Sequence, residues 1–136
     1  MKESSKLEYK SLTNMEYLVK ATLRYKYNTL SEYKICEFIG EHFVLGYEVI
    51  KDGEVVGVSF SCVVDGKYTL DGYNYGVSIF SASHAGKLVL KDLKIYTDIV
   101  FTIHKEVERS ATVLAKRIGF KEIGKFDGNI IFSKEI

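Results

Sequence analysis

Three side chains combine proton-transfer chemistry with a stretch of chain that reads as extended. His104 closes the run 99–104, IVFTIH, whose β-branched and aromatic residues predict a strand. Its imidazole titrates where a general base working near neutrality must. Asp71 lies in the middle of YTLDGYN, a second extended run. Tyr73, two residues on, is a third candidate, as an acid. The competing reading makes His104 a polar strand terminus and Asp71 a turn-side or cross-strand partner. Cys36 and Cys62 stand far apart with no His or Cys at ligand spacing, so neither a metal site nor a redox pair is expected, and both read as buried free thiols. His84, Lys87, Lys91 and Lys94 share one face of a helical segment, as a phosphate-binding face or as a solvated one.

These residues need elements to hold them, and the order is readable. Leu7, Tyr9 and Ser11 alternate with charged residues, predicting a first strand over 6–12. Thr13 or Asn14 then caps a helix with Glu16 in capping-box position and Met15, Leu18, Val19 and Thr22 on one face. Ser31 caps a second helix, with Ile35, Phe38 and Ile39 inward and Gly40 as its end. The linker RYKYNTL reads as a solvated loop or as a loop facing a substrate. From Phe43 the period is two, and Asp52-Gly53 and Asp65-Gly66 mark tight hairpins around EVVGVSFSCVV, a central strand, before KYTLDGYNY. A helix follows, with Ala82, Ala85, Val89, Leu93 and Tyr96 on one face.

The stretch 99–120 then supplies a strand and a helix with Val107, Ala111, Leu114 and Ile118 in a stripe and Gly119 as its left-handed stop. A last hairpin turns at Asp127-Gly128. The order β-α-α-β-β-β-α-β-α-β-β predicts one α+β domain over 1–136, a mixed sheet of about seven strands covered by helices. The helix before Ile99 implies a crossover, hence parallel strands at Tyr68 and Ile99.

The bulk numbers agree. In 136 residues, 46% hydrophobic and 27% charged, there is material for a core without disulfides. A net charge of +1 gives no reason to expect nucleic acid or an anionic membrane as partner. No run approaches the roughly 20 apolar residues of a membrane span. MKESSKLEYK has no apolar segment after its charges, so a cytoplasmic location is the expectation.

The spacing Glu108-x-x-Ala111-x-x-Leu114-Ala115-x-Arg117-Ile118-Gly119-Phe120 resembles the C-terminal signature of the GCN5-related N-acetyltransferase superfamily, Asn-x-x-Ala-x-x-Leu-Tyr-x-Lys-x-Gly-Phe. GYEVIKDGEVVGVSFSCVVDG looks like that family's second and third strands, and the resemblance covers about residues 43–126. It implies an acyl-CoA N-acyltransferase-like fold in which the fourth and fifth strands splay around the pantetheine arm of acetyl-CoA. The pyrophosphate is then expected on the N-terminus of the next helix, where free N–H groups and the dipole favour an anion.

The family's loop there, Gln/Arg-x-x-Gly-x-Gly/Ala, is poorly kept: its positions fall on Phe80, Ser83 and Ala85 or, one residue on, on Ser81, His84 and Gly86. The resemblance therefore implies weak acetyl-CoA binding by backbone groups of Ile79, Phe80, Ser81, Ala82, Ser83, His84 and Ala85, without an Arg clamp. Lys87 is a candidate for the 3′-phosphate, and Glu108 takes the family's Asn position.

Ala115 stands where the family often has a Tyr acid, so the implied acid/base set is altered: His104 as base, Asp71 as its alternative, Tyr73 as acid. An N-acetyltransferase acting on a small-molecule or protein amine is implied. The alternative is a catalytically degenerate domain working through a protein partner, like the small internal virion proteins of phages that share this fold, placed in host cytoplasm or virion.

Overall fold

The computed structural model describes residues 7–74 and 76–136. Lys6, the start of the expected first strand, and Tyr75, the end of the expected fourth, lie outside these. The elements are β1 (Leu7–Ser11), α1 (Glu16–Arg24), α2 (Glu32–His42), β2 (Phe43–Lys51), β3 (Glu54–Val64), β4 (Lys67–Thr69), β5 (Asp71–Asn74), α3 (Ile79–Leu93), β6 (Ile99–Lys105), α4 (Arg109–Ile118), β7 (Lys121–Phe126) and β8 (Asn129–Glu135). The fold is α+β with a mixed, mostly antiparallel sheet, as expected, in the order β1-β2-β3-β4-β6-β8-β7 with β5 paired to β3.

The hairpins form where Asp-Gly predicted them. Asp52, Asp65 and Asp127 have φ of 51°, 51° and 48°, and each is followed by a glycine with positive φ, the geometry of a primed turn. β4 and β6 are parallel, Tyr68 opposite Val100 and Thr69 opposite Phe101, because α3 carries the chain across the sheet between them. KYTLDGYN is one ladder against β3: Val63 faces Tyr68 and Phe60 faces Asp71 in the same register. It divides at Leu70, whose N–H bonds the carbonyl of Phe101 at 2.8 Å, the last link toward β6.

Alternation along the strands sorts the core into two layers. On one face Leu70, Val89, Leu93, Val100, Ala115, Ile118, Ile130 and Phe132 pack between the sheet and α3 and α4. On the other, Leu12, Leu18, Val19, Ile35, Ile39, Val58, Phe60 and Cys62 pack beneath α1 and α2. The Tyr47 hydroxyl donates to Asp92, tying β2 to α3.

Several helix ends differ from expectation. Asn14 accepts the Glu16 N–H at 2.9 Å, but Glu16 pairs with Lys20 at 2.7 Å in place of closing a capping box on Thr13. Ser31 caps α2 as predicted, yet the helix runs through Gly40 to His42. α4 begins at Arg109, so Val107 is outside it and 73% exposed; the buried stripe is carried by Ala115 and Ile118 with Ala111 and Leu114 partly covered. Gly119 ends it at φ 106°, as expected. Tyr96 lies past the end of α3 and is exposed. Cys62 is buried, but Cys36 is exposed, because it turns away from the Ile35–Ile39 face of α2.

Gly46 shows how tightly the central ladder is packed. A β-carbon there would lie 2.9 Å from both the Phe60 Cβ and the Ser59 carbonyl oxygen, neither of which can yield without moving β3. Gly46→Ala should lower stability by about 1–3 kcal/mol, read from the urea midpoint.

Candidate active site

After Leu70 the parallel ladder stops. β5 stays with β3, β6 stays with β8, and Asp71–Asn74 of β5 has no pairing to β6. The two strands diverge, and the opening is a cavity of about 590 Å³ lined by Gly72, Asn74, Thr102, His104, the first residues of α3 and the Ala111–Ala115 side of α4. Small side chains make the room: Ala82 and Gly86 on α3, and Ala111 and Ala115 on α4. At Gly86 a β-carbon would meet Ile118 Cδ1 at 2.8 Å, so glycine lets α3 approach α4.

The candidates are split by strand alternation. Asp71 and Tyr73 lie opposite Phe60 and Val58, on the α1/α2 side. Thr102 and His104 lie opposite Phe132 and Ile130, on the α3/α4 side. Asp71, Tyr73 and His104 all reach the wall of the opening. Burial pushes the Asp71 carboxyl up to about 6, against a smaller opposing effect of the Thr69 hydroxyl, which donates to it at 2.9 Å. Burial moves His104 the other way, below the ordinary imidazole value, with Glu108 opposing. A hydrogen bond of 3.1 Å joins its Nε2 to Thr102 Oγ1, and its ring lies 5.9 Å from that of Phe132.

Glu108 ends up as a brace. Its Oε1 accepts the Tyr25 hydroxyl at 2.6 Å and the Lys105 N–H at 3.4 Å, which fixes the α1–α2 linker to the N-terminus of α4. Burial, then Glu108, pushes the Tyr25 phenol well above its usual range, so it stays a donor. Tyr25 and Tyr27 both line the opening, and the Tyr25 ring stands 5.8 Å from Tyr73. The tyrosine-rich linker RYKYNTL is the sequence signal for both, and in the fold its Tyr25 and Tyr27 face the opening and not only solvent. Asn74 carries no sequence signal of its own. Its Oδ1 is buried beside the opening and has no hydrogen-bond partner among the described residues.

The first turn of α3 is less open than the sequence allowed. Ser78 caps it by accepting the Ser81 N–H at 3.3 Å, and the Ser83 hydroxyl donates to the Ile79 carbonyl at 2.7 Å. Ser81, Ala82, Ser83 and Ala85 are buried in the helix packing, so serine hydroxyls are not presented to an anion. His84 sets its ring 4.5 Å from Tyr9, and Lys87 is exposed. Ile79 borders the opening and Phe80 is exposed with the Arg117 guanidinium 4.1 Å over its ring, which puts a cation from α4 at this turn.

Asp71 yields a pH test. A carboxyl held at about 6 in the fold and near 3.8 in the unfolded chain binds more protons when folded, so stability is lost as pH rises between those values. Asp71→Asn should therefore be more stable than the parent above pH 6, by up to about 3 kcal/mol, with the difference fading toward pH 4 in urea titrations.

No protein-family model matches the chain, and no curated protein matches it in sequence. Solved structures do match in shape. A domain from Methanocaldococcus jannaschii superposes with a TM-score of 0.75 at 16% identity, over 98% of this chain and 100% of that one. An N-acetyltransferase from Staphylococcus aureus gives 0.71 at 12%, over 96% and 97%. An acetyltransferase from Agrobacterium tumefaciens gives 0.70 at 11%, over 100% and 96%.

Proposed function

We propose that this chain, which has the fold of the GCN5-related N-acetyltransferases, is a single-domain, acetyl-CoA-dependent N-acetyltransferase of altered acid/base set. The observation that carries the reading is the divergence of β5 from β6 beyond Leu70, with a helix N-terminus at its edge. The unpaired strand edges there, and the orphaned Asn74 Oδ1, are acceptors and donors that an amide-bearing arm would satisfy. The Ile79 and Phe80 N–H groups at the start of α3, with Arg117 beside them, suit a pyrophosphate. Bound there, acetyl-CoA would supply the thioester whose carbonyl carbon accepts the amine nitrogen.

The chain's own groups then move two protons. Asp71, on the α1/α2 side, takes the first from the incoming ammonium, for which a carboxyl near 6 is a better base than an ordinary one. His104, neutral through burial, would take the second as the C–N bond forms and would be the group placed to protonate the leaving thiolate. Tyr73 stands beside Asp71 as an auxiliary donor, and Glu108 positions the α1–α2 linker through Tyr25. The product amide and free CoA complete the balance.

The degenerate alternative, a domain working by protein contacts, draws on the inward serines of α3 and on Ala115. Calorimetry with CoA and acetyl-CoA separates the two. Binding is expected, and no heat at millimolar ligand from a folded protein favours the alternative. In a CoA-release assay on a good amine acceptor, Asp71→Asn and His104→Ala should each lower turnover by about 10²–10⁴-fold with CoA affinity nearly unchanged, and the parental rate should climb with pH through about 6. Wild-type turnover in both variants would sink the assigned roles.

A further inference from the structure

A second cavity, of about 480 Å³, lies on the other side of the sheet between α1, α2 and strands β3 to β5. Tyr25, Tyr27, Asp71, Tyr73 and Ile103 border both cavities, so the two meet where β5 leaves β6. Its wall is mainly Leu18, Ile35, Phe38, Ile39 and Phe60, with Tyr73. Phe38 and Leu30 are 41% and 45% exposed at this cavity, so its apolar wall reaches solvent.

Much of the polar lining is committed to the protein, the Tyr27 and Thr29 hydroxyls apart. Thr22 donates to the Leu18 carbonyl at 2.8 Å, Asn28 exchanges hydrogen bonds with the backbone of Leu30, and Thr69 donates to Asp71. Cys62 is a thiol pushed up to about 12 by burial and the nearby Asp71, so it is inert as a nucleophile. That leaves Asp71 as the one carboxylate among the described lining residues. No lysine or arginine lines the cavity; Lys26 and Lys105 stand over the Tyr27 ring, 4.9 and 5.2 Å away, outside its wall. A carboxylate alone on an apolar wall is costly until a cation meets it.

From this juxtaposition we infer that the acceptor of the proposed transfer is a small primary amine on an aliphatic or aromatic body, its ammonium on Asp71 and its apolar part between α1 and α2. The inference rests on the acetyltransferase reading for its chemistry but not for its binding. A second carboxylate on the acceptor would meet Asp71 with like charge. A sugar or a peptide backbone would bury many polar groups against a mainly apolar wall that has few left to meet them, at the cost of unmade hydrogen bonds. The volume lies in the range of small-molecule pockets.

The test pairs 2-phenylethylamine with 2-phenylethanol, and hexylamine with hexanol, in binding measured by ligand-observed NMR and calorimetry at pH 7.5 without any CoA. Each amine should bind at least about 10-fold more tightly than its alcohol. Asp71→Asn should abolish that preference while leaving the alcohol's affinity unchanged. Leu30→Lys, at an exposed position, should weaken the amines several-fold without altering CoA affinity. Equal binding of amine and alcohol, or an undiminished preference in Asp71→Asn, overturns the inference. With acetyl-CoA added, preferential acetylation of glutamate or glucosamine also overturns it while upholding transfer. Amines that bind as described and are never acetylated uphold the pocket and remove the transferase reading instead.

Discussion

The structure turns on a ladder that stops early. Two parallel pairs, Tyr68 with Val100 and Thr69 with Phe101, and the bond from the Leu70 N–H to the Phe101 carbonyl hold β4 to β6. Beyond them β5 follows β3 and β6 follows β8. Each strand has a stronger antiparallel partner on its outer edge: β6 pairs along its whole length with β8, and β5 keeps the β3 register it shares with β4. The twist natural to sheets favours their separation, since only those two pairs and that one bond oppose it. A gap in a sheet exposes backbone groups that need partners, and this is why a cleft so formed is also a place to bind an amide.

The candidate proton carriers lie around that gap and are sorted by it. Strand alternation sends Asp71 and Tyr73 toward α1 and α2, and His104 toward α3 and α4. Two proton carriers therefore approach one opening from opposite faces, and burial shifts their affinities in opposite senses, Asp71 upward and His104 downward. The mechanism we propose assigns a proton to each. It needs no Tyr at position 115, where an alanine now helps make the cleft wide.

The α1–α2 linker is the second dependency. Through Tyr25 and Glu108 it is bonded to the start of α4, so one end of the second cavity is fixed by the element that walls the first. On the far side of the cleft, α3 and α4 pack closely at Gly86 and Ile118.

Local signals did settle much of this protein. Three Asp-Gly pairs specified three primed turns because only such residues accept positive φ cheaply, and Ser31, Ser78 and Gly119 end helices for reasons contained in a few neighbouring residues. The crossover through α3 implied parallel strands, and the alternation from Phe43 onward gave the ladder. Where competition between neighbours and distant partners decides, the sequence was silent or misleading. Gly40 does not stop α2, Val107 lies outside α4, and Cys36 faces out, since helix ends and the buried side of a face depend on what packs against them. The split of one strand at Leu70 has no local cause, for KYTLDGYN keeps a single register on β3; it is the partner on the other edge that departs. Tyr25, 83 residues from Glu108, and the orphaned oxygen of Asn74 enter the site only by tertiary contact. Residue types and spacing determine which groups are able to carry protons; only the folded sheet decides which of its two faces each one serves.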